Sequence, residues 1–180
     1  MRIVPILLAA LATVLTVPAR AELPAGSKAP AFATAIATAG EAGRFSLAAA
    51  LKRGPVVLYF FPKAFTKGCT LETRAFAEAH DQFAAAGATV IGMSADDLAT
   101  LKRFSVEECR NKFPVGVATP AIISAYDVAL AGMGITGVTN RTSYVIGRNG
   151  RIVFVHSDLD YREHVAKTLA AVRALKKHKR

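Results

Sequence analysis

The sequence predicts an α/β fold, a central mixed sheet with helices on both faces. Two runs carry that prediction: Val56–Phe61 is apolar and β-rich throughout, and Ala88–Met93, centred on Val90-Ile91, reads as a second buried strand, as in a sheet covered on both faces. A third observation is the stretches of helical periodicity that follow each run, the alternation that builds a layered sheet. At 180 residues with 52% hydrophobic side chains, the chain can bury one full core. We see no linker and no repeat, so a single domain is expected over residues 22–180.

Along the chain, Gly40-Glu41-Ala42-Gly43 reads as a turn between short strands. Ser46 is placed to cap a short helix through Leu51. Pro62 ends the first buried strand, and a helix follows from about Thr66 to Ala86, with Phe76, Ala79 and Phe83 on one face. After the second buried strand, Ser94 or Asp96 caps a helix carrying Leu98, Leu101 and Phe104. A short strand is expected near Val115–Val117 and a helical turn around Ile122–Tyr126. Arg141–Ile146 and Arg151–Val155 read as strands joined by Asn149-Gly150, a tight-hairpin signal. The last helix begins near Asp160 and runs through Val165, Leu169, Val172 and Leu175.

Composition excludes several classes. A charged fraction of 20% together with 10 Phe and 4 Tyr is not that of a disordered chain. Two cysteines are too few for a disulfide scaffold, and no Cys/His group has zinc-ligand spacing. The formal charge is +10, with a dense basic patch at Lys176, Lys177, Lys179 and Arg180. Cations there complement the negative end of the last helix, and neither nucleic acid nor a membrane is expected as partner. Residues 1–21 combine a cation at Arg2, an apolar run from Ile6 to Val17 and an Ala19-Arg20-Ala21 site. That pattern reads as a cleavable signal peptide, too short for a membrane helix, against a core helix that would have Pro5 and Pro18 in or beside it, so the protein is expected in the periplasm or secreted.

Cys69 lies where a buried strand hands over to a helix, the edge of an α/β sheet at which ligands bind. With Thr66 as N-cap, its sulfur is the third helical residue, near unpaired backbone N–H groups that favour a thiolate. Keeping a thiol largely ionised at neutral pH takes roughly 3.4 kcal/mol. A helix terminus supplies at most about 2 kcal/mol. A second positive group is therefore required, and Arg74 and Arg141 are the candidates.

Pro62-Lys63-Ala64-Phe65-Thr66-Lys67-Gly68-Cys69 resembles the peroxiredoxin motif P-x-x-x-T-x-x-C, and Arg141-Thr142-Ser143-Tyr144-Val145-Ile146 resembles the later strand that the family's arginine opens. The likeness runs from about Lys28 to the last helix and is nearest the Q-type, or bacterioferritin comigratory protein, branch. It implies a thioredoxin-like fold and a thiol-dependent peroxidase acting on hydrogen peroxide and small organic hydroperoxides. It makes Cys69 the nucleophile that becomes a sulfenic acid. Thr66 would offer its hydroxyl to sulfur and peroxide, Pro62 would shield the pocket, and Arg141 would stabilise the thiolate and orient peroxide. No cofactor is implied, because the sulfur supplies the redox chemistry. The partners implied are a peroxide and a thiol reductant, either a thioredoxin-like protein or a small thiol, and similar Q-type proteins are often monomers.

Many Q-type members carry a resolving cysteine five residues after the first, where this chain has Arg74. Cys109, expected near the end of the third helix, fits a variant with the resolver there. A structural Cys69–Cys109 disulfide in a non-catalytic domain and a free Cys109 are the other readings. A thioredoxin-like thiol–disulfide oxidoreductase is a further alternative, although Thr66-Lys67-Gly68-Cys69 lacks one thiol of C-x-x-C. Gly132-Met133-Gly134-Ile135-Thr136-Gly137 matches a dinucleotide fingerprint but precedes a strand, not a helix, so it is read as a loop. Asn140-Arg141-Thr142 satisfies a glycosylation sequon but is read as chance. The four histidines read as surface or strand-end residues, and Glu72 as suiting a helix start, with a polar network to the active site as the other reading.

Overall fold

The structure is a computed structural model describing residues 22–130 and 137–177. The expected signal peptide, Gly132–Thr136 of the glycine motif and residues 178–180 of the basic tail lie outside the described residues. Seven strands form one mixed sheet: β1 (Ala33–Thr38), β2 (Glu41–Ser46), β3 (Val56–Phe60), β4 (Thr89–Ser94), β5 (Val115–Val117), β6 (Thr142–Ile146) and β7 (Ile152–Ser157). Their spatial order is β2-β1-β5-β4-β3-β6-β7. β3, β4 and β5 run parallel, and the other pairings are antiparallel.

β3 is buried at every position, and its side chains alternate between two cores. Val57 and Tyr59, followed by Phe61, face a layer with α2 (Lys67–Ala85), α3 (Leu98–Glu107) and α5 (His164–Lys177). Val56, Leu58 and Phe60 face a layer with α1 (Leu47–Arg53) and α4 (Pro120–Tyr126). Period-two alternation in an all-apolar strand is what a sheet covered on both faces requires. No described helix is long and apolar enough to cross a membrane.

Several local expectations are corrected. The first turn is Ala39-Gly40, both at positive φ (50° and 81°), and Glu41–Gly43 already belong to β2. Asp97 caps α3, accepting from the Thr100 amide at 2.7 Å. Ser94 instead ends β4, and Asp96 is turned toward the β3–α2 loop. α3 stops at Glu107, so Cys109 lies beyond it, in a turn whose next residues, Arg110 and Asn111, have φ of 50° and 60°. The last hairpin uses a three-residue loop, Arg148–Gly150, with Gly150 at φ 75°. Asn-Gly there marks a wider turn with a glycine in the left-handed region, not a two-residue one. Asp160 caps a 3₁₀ turn, Tyr161–Glu163, that precedes α5.

Candidate active site

The loop from Pro62 to Thr66 is held from three sides. The Ala64 amide donates to the Asp96 carboxylate at 2.7 Å. The Phe65 ring packs edge-on against Phe104 and lies under the Arg103 guanidinium. Thr139, just ahead of Arg141, donates to the Phe61 carbonyl at 2.8 Å. Phe65 itself has φ 62°, a costly conformation for an aromatic residue that these contacts must maintain. The loop delivers Cys69 to the third position of α2, where it is 1% exposed.

Arg141, 5% exposed, reaches the same point from the start of β6. One Nη donates to Cys69 Sγ at 3.5 Å. The other donates to Glu72 Oε2, and Nε donates to the Leu159 carbonyl at 2.9 Å. Gly68 makes room for this fork: a Cβ there would sit 3.2 Å from the guanidinium. Glu72, one turn after Cys69, is fully buried, and burial lifts its carboxyl to about 8 against the opposing pull of Arg141. A sulfur at a helix N-terminus, paired with a fixed guanidinium in a dry pocket, is equipped to attack an electrophilic oxygen.

Residues 25–155 match the AhpC/TSA family. The chain belongs to that family. It is 30% identical over 182 residues to peroxiredoxin Q of Oryza sativa subsp. japonica chloroplasts, covering 91% of this chain and 80% of the relative. Among solved structures, peroxidoxin BcpB of Mycobacterium tuberculosis matches with TM-score 0.73 and 28% identity, over 84% of this chain and 97% of that one. The bacterioferritin comigratory protein of Xanthomonas campestris, whose structure concerns alkyl peroxide reduction, matches with TM-score 0.69 and 25% identity, over 79% of this chain and 91% of that one. The fold is thioredoxin-like, and the chain is a thiol-dependent peroxidase of the peroxiredoxin Q type.

In this peroxiredoxin the expected residues divide. Cys69 and Arg141 meet, and Pro62 is half-buried where β3 ends. Thr66 holds the N-cap position, but its exposed hydroxyl donates to the Lys63 carbonyl at 2.9 Å and neither caps the helix nor reaches the sulfur. Arg74 is not the second cation at the sulfur. It is exposed and pairs with Glu108 at 2.5 Å. Cys109 is a free, fully buried thiol in the same apolar cluster as Cys69, also a free thiol. Burial, with Glu108 adding to it, pushes the Cys109 thiol up and keeps it protonated.

Of two further residues at the peroxiredoxin site, the sequence offers Glu72 as a helix-start residue or a polar neighbour of the site, and it gives no sign of His164. Cys69, Glu72, Phe76, Ala79 and Phe83 share one buried stripe of α2, so extending the apolar stripe backward would have put Glu72 under the sulfur. His164 is no surface residue. It is fully buried, with Nδ1 2.8 Å from the Ser143 hydroxyl and 3.6 Å from Glu72 Oε1. It too begins a buried stripe, with Thr168 and Val172.

Proposed function

We propose that the protein is an exported peroxidase, periplasmic or secreted, that reduces hydrogen peroxide and small organic hydroperoxides through Cys69. The observation that carries this reading is the Arg141 guanidinium 3.5 Å from Cys69 Sγ at the start of α2. The Cys69 thiolate attacks one peroxide oxygen, the O–O bond breaks, and the departing alkoxide or hydroxide takes up a proton. Cys69 is left as a sulfenic acid. Arg141 steadies the thiolate and the developing charge, Pro62 keeps water from the pocket, and the Thr66 hydroxyl turns from Lys63 toward the bound peroxide. The alkyl peroxide reduction named for the Xanthomonas relative supports the organic substrates.

Cys109 then attacks the sulfenic acid, forming an intramolecular disulfide and releasing water. Two thiols from a thioredoxin-like protein or a small thiol restore both cysteines. Because Cys109 is buried beyond the end of α3, its turn and the first turn of α2 must open to bring the sulfurs within bonding geometry. The protein needs no second copy for this cycle and acts as a monomer.

Intact mass before and after one equivalent of peroxide tests the cycle. Loss of two hydrogens is the expected result, and gain of one oxygen without a disulfide would remove Cys109 from the reaction. Cys69→Ser should abolish peroxide consumption, and Cys109→Ser should stop at the oxygen adduct.

A further inference from the structure

Behind Arg141 the site holds two polar groups that the peroxidase cycle leaves unused. Glu72 Oε1 is buried and has no hydrogen-bond partner among the described residues. His164 Nδ1 lies 3.6 Å away. The tautomer of His164 follows from its other nitrogen, which is 2.9 Å from the Asp158 carbonyl. A carbonyl only accepts, so Nε2 carries the hydrogen. In the neutral ring Nδ1 is then a lone pair, which accepts from the Ser143 hydroxyl at 2.8 Å. Without a further proton, two acceptors face each other in a dry interior, an arrangement that buried polar groups avoid.

We propose that Glu72 and His164 share one proton at neutral pH, which makes His164 a positioning residue that leaves the charge of Arg141 free for Cys69. The inference rests on Cys69 being the nucleophile. With the proton carried on Oε1 beside Nδ1, the carboxyl is neutral, and Oε2 still accepts from Arg141. The guanidinium then faces a single anion, the thiolate. Once the proton leaves, Arg141 stands between two anions, and its hold on sulfur and peroxide weakens.

The surroundings agree with this assignment. Burial lifts Glu72 to about 8 and depresses His164 to about 4, leaving one proton on the pair across the neutral range. Glu72 is faced by Arg141, by Cys69 on its own helix and by Tyr59 from β3. His164 is faced by Arg141, by the His156 ring 4.6 Å away on β7, and by Asp158. Lys167 and Glu163, paired with each other, act on His156.

The test is the rate of the first oxidation by hydrogen peroxide in protein carrying Cys109→Ser, followed from about pH 5 to about pH 10. The rate should fall above about pH 8, as the shared proton is lost. Gln offers an N–H toward Nδ1 and an oxygen toward Arg141 but has no proton to lose in this range, so Glu72→Gln should abolish the alkaline fall. His164→Leu should lower the neutral-pH rate by about tenfold or more and move the fall to lower pH. Adding Glu72→Gln to it should bring the rate and its pH profile to those of Glu72→Gln alone, which a purely structural role for His164 would not allow. If His164→Leu fails to fold, Glu72→Gln decides alone. An alkaline fall that persists in Glu72→Gln, with Cys69→Ser inert, overturns the shared proton. Reaction persisting in Cys69→Ser overturns the nucleophile assignment beneath it.

Discussion

Arg141 makes three bonds at once, to Cys69, Glu72 and the Leu159 carbonyl, so its guanidinium has little freedom to yield. That fixity turns Gly68 into a sensitive position, since an added Cβ would press on the fork from 3.2 Å. Gly68→Ala should slow the first oxidation by about tenfold, corresponding to about 1.4 kcal/mol, while leaving the fold intact. Stopped-flow oxidation checks this, and an unchanged rate would show that the fork can shift. Cys69 and Arg141 were legible in the sequence because a strand-to-helix boundary and a strand start are local features. Spacing alone did not choose between Arg74 and Arg141; the family motif pointed to Arg141, and the packing of β6 beside β3 brings that cation to the sulfur. Thr66 shows the same limit. Its cap position was readable, but the rotamer that sends its hydroxyl to Lys63 was not.

At the scale of elements, α2 carries the sulfur at its start and a charged stripe further on. Arg74, Glu78 and Asp81 pair with Glu108, Arg110 and Lys112 at 2.5, 3.3 and 3.7 Å. These three pairs strap the turn that bears Cys109 onto the helix that bears Cys69. The same turn holds two non-glycine residues at positive φ, a strained arrangement. Opening the turn for disulfide formation must break the strap. The Arg110–Glu78 pair is exposed on both sides, and exposed pairs are worth about 0–1 kcal/mol each and are screened by salt. Glu78→Ala should therefore speed disulfide formation by about twofold to fivefold and reduce its salt dependence, without altering the first oxidation. A slower disulfide step in Glu78→Ala would argue that the strap guides the two sulfurs together. The start of α3 illustrates why boundaries escaped the sequence. Ser94, Asp96 and Asp97 all suit an N-cap, and the need to hold the Ala64 amide with Asp96 left Asp97 as the cap.

For the whole molecule, the Glu72–His164 pair ties stability to pH. Glu72 is raised from 4.5 to about 8, so the folded chain keeps a proton that the unfolded chain has released. Its stabilisation is complete below pH 4.5 and drains away as pH rises to about 8. His164 is depressed from 6.5 to about 4, so its contribution grows over that interval. The two trends oppose each other between 4.5 and 6.5, leaving a net loss of stability from 6.5 to about 8. Denaturant unfolding across this window should show the loss in the wild type and its absence in Glu72→Gln. Stability rising through the window would contradict it. The layered sheet itself was legible because β3 and β4 announce burial on both faces in their composition. The polar interior was legible only at Glu72, whose place one turn beyond Cys69 points to the site, because His164 looks like a surface residue until α5 packs against the sheet face.

The central claim is that Arg141 activates the Cys69 sulfur. Its most direct test is the single-turnover rate with hydrogen peroxide, joined to mass analysis, in Cys109→Ser with and without Arg141→Met. One oxygen should be added at Cys69, and the rate should be lower by about a hundredfold or more once the guanidinium is gone. Equal rates in the two proteins, or an oxygen placed elsewhere, would contradict it.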